Sequence, residues 1–391
     1  MHFDLCSKSI KKNAFFLALG NGLNMNVENY DKICTINSVE IFISAEFSEK
    51  KRKAIDELLH TQLKGLVGVS VGDMKYSRII LEPFICDNVK EYELVPGVYK
   101  YTSNNQKLHL LDKQISLRIT ENSIYYGFNS IFGVSIHFLY FLCVVLSGKT
   151  LVHSAAFKHK GKNILVPAFG GIGKTFLVSK LSENPETSIY GDDLVLLDAD
   201  NNIFPYHRPM CVYKYHYEKY LKGRLPRKLY FLYPSLFWRI VLRIRLEILD
   251  RFGWKFGNIG DSCTHSKGYV TIAVSDILNE DQIPKVGEKL DIIVIIKRTS
   301  SADISVESID KTEDRKQSAK YISSIVHHEW AEYHKLMLAY DAFTKRSTSL
   351  QFRATELLIE KAFIETNKVY LIKLPVNAKD SEIEQALNSI A

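Results

Sequence analysis

The sequence has no C-x-x-C pair. Its 6 cysteines, Cys6, Cys34, Cys86, Cys143, Cys211 and Cys263, are spread along 391 residues. That spacing argues against a structural zinc site and a small disulfide scaffold, and fits reduced, mostly buried thiols in a cytosolic protein. Glycine (20) and proline (10) are too few for a collagen-like or low-complexity chain. No apolar run reaches the roughly 20 residues that span a bilayer. The longest uncharged window has its core at 131–146 (IFGVSIHFLYFLCVVL), which carries Ser135 and His137. It reads as a buried core helix rather than a membrane span. The apolar patch at 14–19, behind Lys11 and Lys12, is short for a signal sequence and no small-residue cleavage site follows. A cytoplasmic protein is expected.

Neither sign of charge dominates. The formal net charge is +7, enough to favour an acidic partner but no strong sign of nucleic-acid binding. With 46% hydrophobic and 24% charged residues, the chain reads as globular. At roughly 150 residues per domain, its length suggests two or three domains. No internal repeat is visible.

Residues 1–128 read as a β-rich α+β domain without a chemical motif, suited to packing or substrate docking. Strand composition recurs at 39–47, 78–84, 97–102 and 114–120. The stretch 48–66 has apolar residues at helical spacing, with Ser48 as a cap and Gly68 beyond its end. From 129 the character changes. Strands are expected at 150–158 and 163–167, with a turn at Gly161. A glycine-rich loop and a helix at 174–181 follow. A strand then ends in Gly191-Asp192-Asp193 and continues as 194–198. Strand, glycine loop, helix, strand is the order of a nucleotide-binding α/β unit. A buried strand is expected at 291–296, bounding a core at 129–310. A helical segment at 311–391 completes the chain, with helices near 314–341, 354–365 and 381–390 and a strand at 368–374.

Three short segments carry chemistry. The first is Ala168-Phe169-Gly170-Gly171-Ile172-Gly173-Lys174-Thr175. It keeps the pattern G-x-x-x-x-G-K-[ST] except at the first glycine, which is Ala168. Glycines let backbone N–H groups curl around a phosphate. Gly170, Gly171, Ile172, Gly173, Lys174, Thr175 and Phe176 are therefore the expected nucleotide-binding residues. Lys174 would reach the β- and γ-phosphates, and Thr175 would offer its hydroxyl to Mg²⁺. The second is the Asp192-Asp193 pair, 16 residues after the loop. One carboxylate can anchor the metal while the other takes a proton from an attacking hydroxyl. Asp198 reads as a turn residue. The third is His153, on the strand before the loop, near enough to approach the phosphates or the acidic pair.

Together His153-Ser154-Ala155-Ala156, the loop from Pro167 to Thr175, and Gly191-Asp192-Asp193-Leu194-Val195-Leu196 resemble the HPr kinase/phosphorylase-related kinases. That group includes kinases linked to peptide maturation, such as those acting on lasso-peptide precursors. The resemblance implies a P-loop core of the HPr kinase/phosphoenolpyruvate carboxykinase type, with ATP and Mg²⁺ as cofactors. It implies transfer of the γ-phosphoryl group to a serine of a protein or peptide. It implies that Asp192 and Thr175 serve the metal, that Asp193 is the general base, and that His153 neighbours the γ-phosphate and the base. The arginine- and glycine-rich run of the true HPr kinase/phosphorylases has no counterpart here. The resemblance therefore does not extend to phosphorylase activity, to HPr as substrate or to a hexamer.

Arg208, in the proline- and basic-rich stretch 205–209, is a candidate substrate contact and equally an ordinary solvated arginine. The histidine-rich stretch 327–334 lacks the second histidine of H-E-x-x-H and reads as a solvated helix face rather than a zinc site. Residues 212–256 are basic and aromatic, with helical spacing at 234–252. They suit a covering helix and, if functional, an acidic peptide partner. The alternative functions are a nucleotide-binding regulatory ATPase, a nucleic-acid- or membrane-associated protein using the 212–256 helix, and a small-molecule kinase. A homo-oligomer is compatible with the sequence.

Overall fold

The computed structural model describes residues 30–36, 39–63, 77–85, 93–94, 100–104, 107–120, 122–131, 134–168, 172–206, 210–213, 269–272, 277–344 and 357–390. Arg208, the loop residues Phe169, Gly170 and Gly171, and the expected helix at 234–252 lie outside them.

The chain is a mixed α/β protein built on two mixed sheets. The first comprises β1 (Tyr30–Ile36), β2 (Val39–Ser44), β3 (Ser77–Glu82), β4 (Glu93–Leu94), β5 (Lys100–Asn104), β6 (Lys107–Leu110), β7 (Ile115–Ile119) and β8 (Ser123–Phe128). Its order is β1-β2-β3-β8-β7-β6-β5-β4, with β2, β3 and β8 parallel. Helix α1 (Glu49–Gln62) links β2 to β3. The Ser48 side chain accepts from the Lys51 N–H at 3.4 Å and starts it, as its cap position requires.

Helix α2 (Val134–Leu146) follows. The second sheet holds β9 (Lys149–His159), β10 (Lys162–Pro167), β11 (Ile189–Gly191), β12 (Leu194–Asp198), β13 (Asn202–Phe204), β16 (Glu288–Lys289), β17 (Ile292–Thr299), β18 (Ser305–Ser308) and β19 (Lys368–Pro375). Between β13 and β16, β14 (Met210–Tyr213) and β15 (Tyr269–Ile272) form a separate antiparallel pair. Helices α3 (Lys174–Leu181), α4 (Thr312–Thr344), α5 (Leu357–Glu365) and α6 (Asp380–Asn388) pack around it. The sheet order is β16-β13-β12-β9-β10-β17-β19-β18, with β11 also against β9.

Strands β10, β17 and β19 are parallel neighbours. Their runs ILV and IIVII are apolar on both faces, as expected of parallel strands covered on both sides. Alternation sends Ile164, Val166, Ile292, Val294 and Ile296 into one core with Phe176 and Leu177 of α3 and Ile383 and Leu387 of α6. Leu165, Ile293, Ile295 and Val369 face a second core. That core runs through α5, α4 and α2 into the first sheet.

Ten of the 13 residues of α2 are buried, which accounts for its nearly uninterrupted apolar sequence. Tyr126 of β8 donates to the Ser135 carbonyl at 2.8 Å. On its other side, Phe141 meets Trp330 of α4 edge to face at 4.6 Å. Among the described residues no helix is long and apolar enough to cross a membrane.

One expectation needs correction, and two expected boundaries fall inside larger units. The division at 310/311 runs through the second sheet, because β19 pairs with β17 from Ile292↔Lys368 to Thr299↔Pro375. The division at 128/129 falls within one continuous core, joined by α2. The helix face at 327–334 is not solvated throughout. Trp330 is only 6% exposed. The neighbouring Tyr333 and His334 also meet Phe141 at 5.5 Å each, one ring tilted and the other edge-on. The apolar surface of α2 needs a cover, and these rings supply it.

Candidate functional site

The site gathers at the C-terminal end of β10, where parallel strands commonly place ligands. The described part of the glycine loop starts with Ala168, whose N–H donates to the His153 carbonyl at 3.2 Å. The loop closes at Gly173, with φ of +114°, a conformation that L side chains rarely adopt. Gly173 opens α3 with no side-chain cap, so no side-chain oxygen fills the positive pole of the helix. The next residue, Lys174, is buried, and its Nζ donates to the Ala168 carbonyl at 2.6 Å. Its ammonium is thus folded back inside the loop, where an anion would find it.

The acidic pair is delivered by a tight turn between β11 and β12. A Cβ at Gly191 would lie 2.3 Å from the Leu194 carbonyl oxygen, so the turn excludes any side chain there. The Ser154 N–H donates to the Asp193 carbonyl at 3.0 Å and pins the turn to β9.

The two aspartates occupy different surroundings. Asp192 turns toward α3, and its Oδ2 accepts from the Thr175 hydroxyl at 3.0 Å. Its Oδ1 is closed off from solvent and has no hydrogen-bond partner among the described residues. Burial, and then the neighbouring Asp193 charge, push its carboxyl up to about 7, against the pull of Thr175, Lys174 and His153. Asp193 keeps 43% of its side chain exposed. Its Oδ1 sits 2.8 Å from Nε2 of the nearly buried His153.

The His153 ring has two claimants on one nitrogen. Lys174 Nζ lies 3.3 Å from the same Nε2. An N–H on Nε2 serves the carboxylate but not the ammonium, while a lone pair does the reverse. The shorter contact favours Nε2–H donating to Asp193, which leaves Lys174 to the Ala168 carbonyl. Nδ1 is buried with no partner among the described residues.

These residues fit a divalent cation and a phosphate chain. The orphaned Asp192 Oδ1 and the adjacent Thr175 hydroxyl form a hard-oxygen pair, the kind that holds Mg²⁺ together with phosphate oxygens and water. Lys174 and the pole of α3 supply positive charge beside them. His153, Lys174, Thr175, Asp192 and Asp193, named from the sequence, therefore meet in one place. Ile172 and Gly173 border it, while Phe176 packs in the core beneath α3.

The sequence did not point to Arg298, at the end of β17. Its Nη1 donates to the carbonyls of Pro375 at 3.0 Å and Ala378 at 3.3 Å, and its Nη2 to that of Ile172 at 3.4 Å. One guanidinium thus ties the loop to the turn between β19 and α6. The only signal was a cationic pair closing an apolar run. Asp198 does hold a turn, its Oδ1 accepting from the N–H groups of Asp200 and Asn202, both at 2.9 Å.

No protein-family model matches the chain, and no curated protein matches it significantly.

Proposed function

We propose that the chain is an ATP- and Mg²⁺-dependent kinase that transfers the γ-phosphoryl group to a serine hydroxyl of a protein or peptide. The proposed core is a P-loop kinase of the HPr kinase/phosphoenolpyruvate carboxykinase type. One observation carries this reading: the different placement of the two aspartates. Asp192 is joined to Thr175 beside the loop lysine, whereas Asp193 is partly exposed and joined to a histidine. A nucleotide-binding module that met no acceptor would need only the first of these pairs.

Each residue then has a task. Lys174 leaves the Ala168 carbonyl and gives its charge to the phosphate oxygens. Thr175 and Asp192 would hold Mg²⁺, which when bound neutralises charge on the transferring group. Asp193 orients the acceptor hydroxyl and takes its proton. His153 fixes the Asp193 carboxylate through Nε2–H. The loop and α3 place the donor phosphate, so catalysis is chiefly positioning and electrostatics.

The test is transfer of label from γ-³²P-ATP with Mg²⁺ to serine-containing peptides and host-cell lysate. The wild type is compared with Lys174→Ala and Asp193→Asn. Label in a peptide or protein, lost in both variants, is expected. Free phosphate alone would favour the regulatory ATPase, and full transfer by either variant would overturn the assignment.

A further inference from the structure

A cavity of about 260 Å³ lies between α2, α4 and the second sheet. Its floor is Leu151 and Leu194. Leu151 stands two residues before His153 on β9, and Leu194 is the cross-strand partner of His153 on β12. By strand alternation and register, all three share one face of the sheet. Ala155, two residues beyond His153 in the other direction, packs in the core of α3. The His153–Asp193 pair therefore stands between the loop, where the donor phosphate would sit, and this cavity.

The cavity walls are rings: His137, Tyr140 and Phe141 of α2, Tyr206, and Trp330 and Tyr333 of α4. No aspartate, glutamate, lysine or arginine lines it. Its volume falls below the roughly 300–1,000 Å³ of typical small-molecule sites, and suits a single side chain better than a whole nucleoside or metabolite. Aromatic walls with one titratable ring, His137, and no carboxylate, ammonium or guanidinium favour a flat aromatic group, held edge to face or stacked.

We infer that this cavity seats an aromatic side chain adjacent to the acceptor serine, and so selects the peptide that is phosphorylated. The inference rests on the proposed kinase reading and adds to it the class of sequence recognised. The ring enters between α2 and α4, and the neighbouring hydroxyl is thereby brought toward Asp193.

The experiment uses the full chain, γ-³²P-ATP and a set of serine peptides identical except beside the serine. Phe, Tyr, Trp, Ala, Asp and Lys are placed there in turn, before or after it. Phe or Tyr on one side is expected to raise kcat/KM at least ~10-fold over Ala, with Asp and Lys no better than Ala. Two variants reshape the cavity from opposite directions: Leu194→Phe fills it and Tyr206→Ala enlarges it. Filling should cut the aromatic preference to about twofold or less while Ala-peptide phosphorylation persists. Enlargement should shift the preference toward Trp. Should Leu194→Phe fail to fold, Tyr206→Ala carries the test alone. Labelled peptides without an aromatic preference, or a preference that neither variant alters, would overturn the inference and leave the kinase standing. If no peptide is labelled at all, the inference falls together with the peptide-kinase reading.

Discussion

The Thr175 hydroxyl donates to Asp192 across 3.0 Å and joins the first turn of α3 to the turn after β11. The bond satisfies one oxygen of a carboxylate whose other oxygen has no partner among the described residues. Such a carboxylate is costly to ionise until a cation arrives. Asp192→Asn should therefore leave the ligand-free fold intact or slightly more stable at pH 8. It should also weaken Mg²⁺-dependent nucleotide binding by about 10–100-fold. Calorimetric titration with and without Mg²⁺, beside a thermal melt, checks both. Unchanged Mg²⁺ dependence would remove Asp192 from the metal site.

Asp193 and His153 should separate binding from transfer. Asp193→Asn is expected to keep nucleotide affinity within about threefold and to lower transfer by about 10²–10⁴-fold, the usual contribution of a positioned base. His153→Gln should lose less, because it removes the orientation of the base rather than the base itself. Single-turnover transfer beside nucleotide binding makes the comparison. A His153 variant more impaired than Asp193→Asn would reverse the roles.

Arg298 should act on the loop from outside it. Arg298→Met strips the Pro375, Ala378 and Ile172 carbonyls of a shared donor. Hydrogen bonds from a charged group contribute about 1.5–3 kcal/mol, so a loss of that order is expected in urea melts. The loop is loosened as well, so KM for ATP should rise more than kcat falls. Arg298→Lys should rescue little, because an ammonium lacks the planar fork that reaches both sides. A stability loss with KM unchanged would confine Arg298 to the fold.

Lys149 offers a test by pH. It is buried at the start of β9, its Nζ 4.3 Å from the centre of the Phe204 ring. Burial pulls its ammonium down from the ordinary 10.5 to about 8, against the pull of Asp198 and Asp200. Below pH 8 both folded and unfolded chains are protonated, and the folded state bears the full cost of the buried charge. Between about 8 and 10.5 the unfolded chain binds more protons, so this group makes stability rise with pH. Lys149→Met should then stabilise the protein at pH 7 by about 1–3 kcal/mol. The advantage should shrink across that window in urea melts. A pH-independent difference would mean that packing, not charge, decides.

Local structure was legible where one segment settles its own fate. The helix at 174–181 follows from a glycine loop and a lysine, and β10 follows from an apolar run bounded by turn residues. The Ser48 cap was visible for the same reason. Partnerships across the chain were not. Nothing near Leu165 says that β17 lies beside β10, some 125 residues away, or that β19 lies beyond it. The burial of Trp330 depends on α2, and the worth of Arg298 depends on carbonyls at 172 and 375–378. The candidate site was readable because its residues come as three compact words, at 153, 168–175 and 191–193. Its supporting shell is assembled from distant strands and carries no such word.

The placement of β19 and α6 sets an order of birth. The glycine loop is made by residue 175, yet the strand and helix that brace it begin at residues 368 and 380. At about 5–20 residues per second, a ribosome takes roughly 10–40 s to make the stretch between residues 175 and 368. During that interval the loop lacks the turn that Arg298 grips and the Ile383 side chain that approaches Gly173. A nascent or truncated chain would therefore carry the full set of polar residues and still have no competent site, and activity would arise only as the final segment docks.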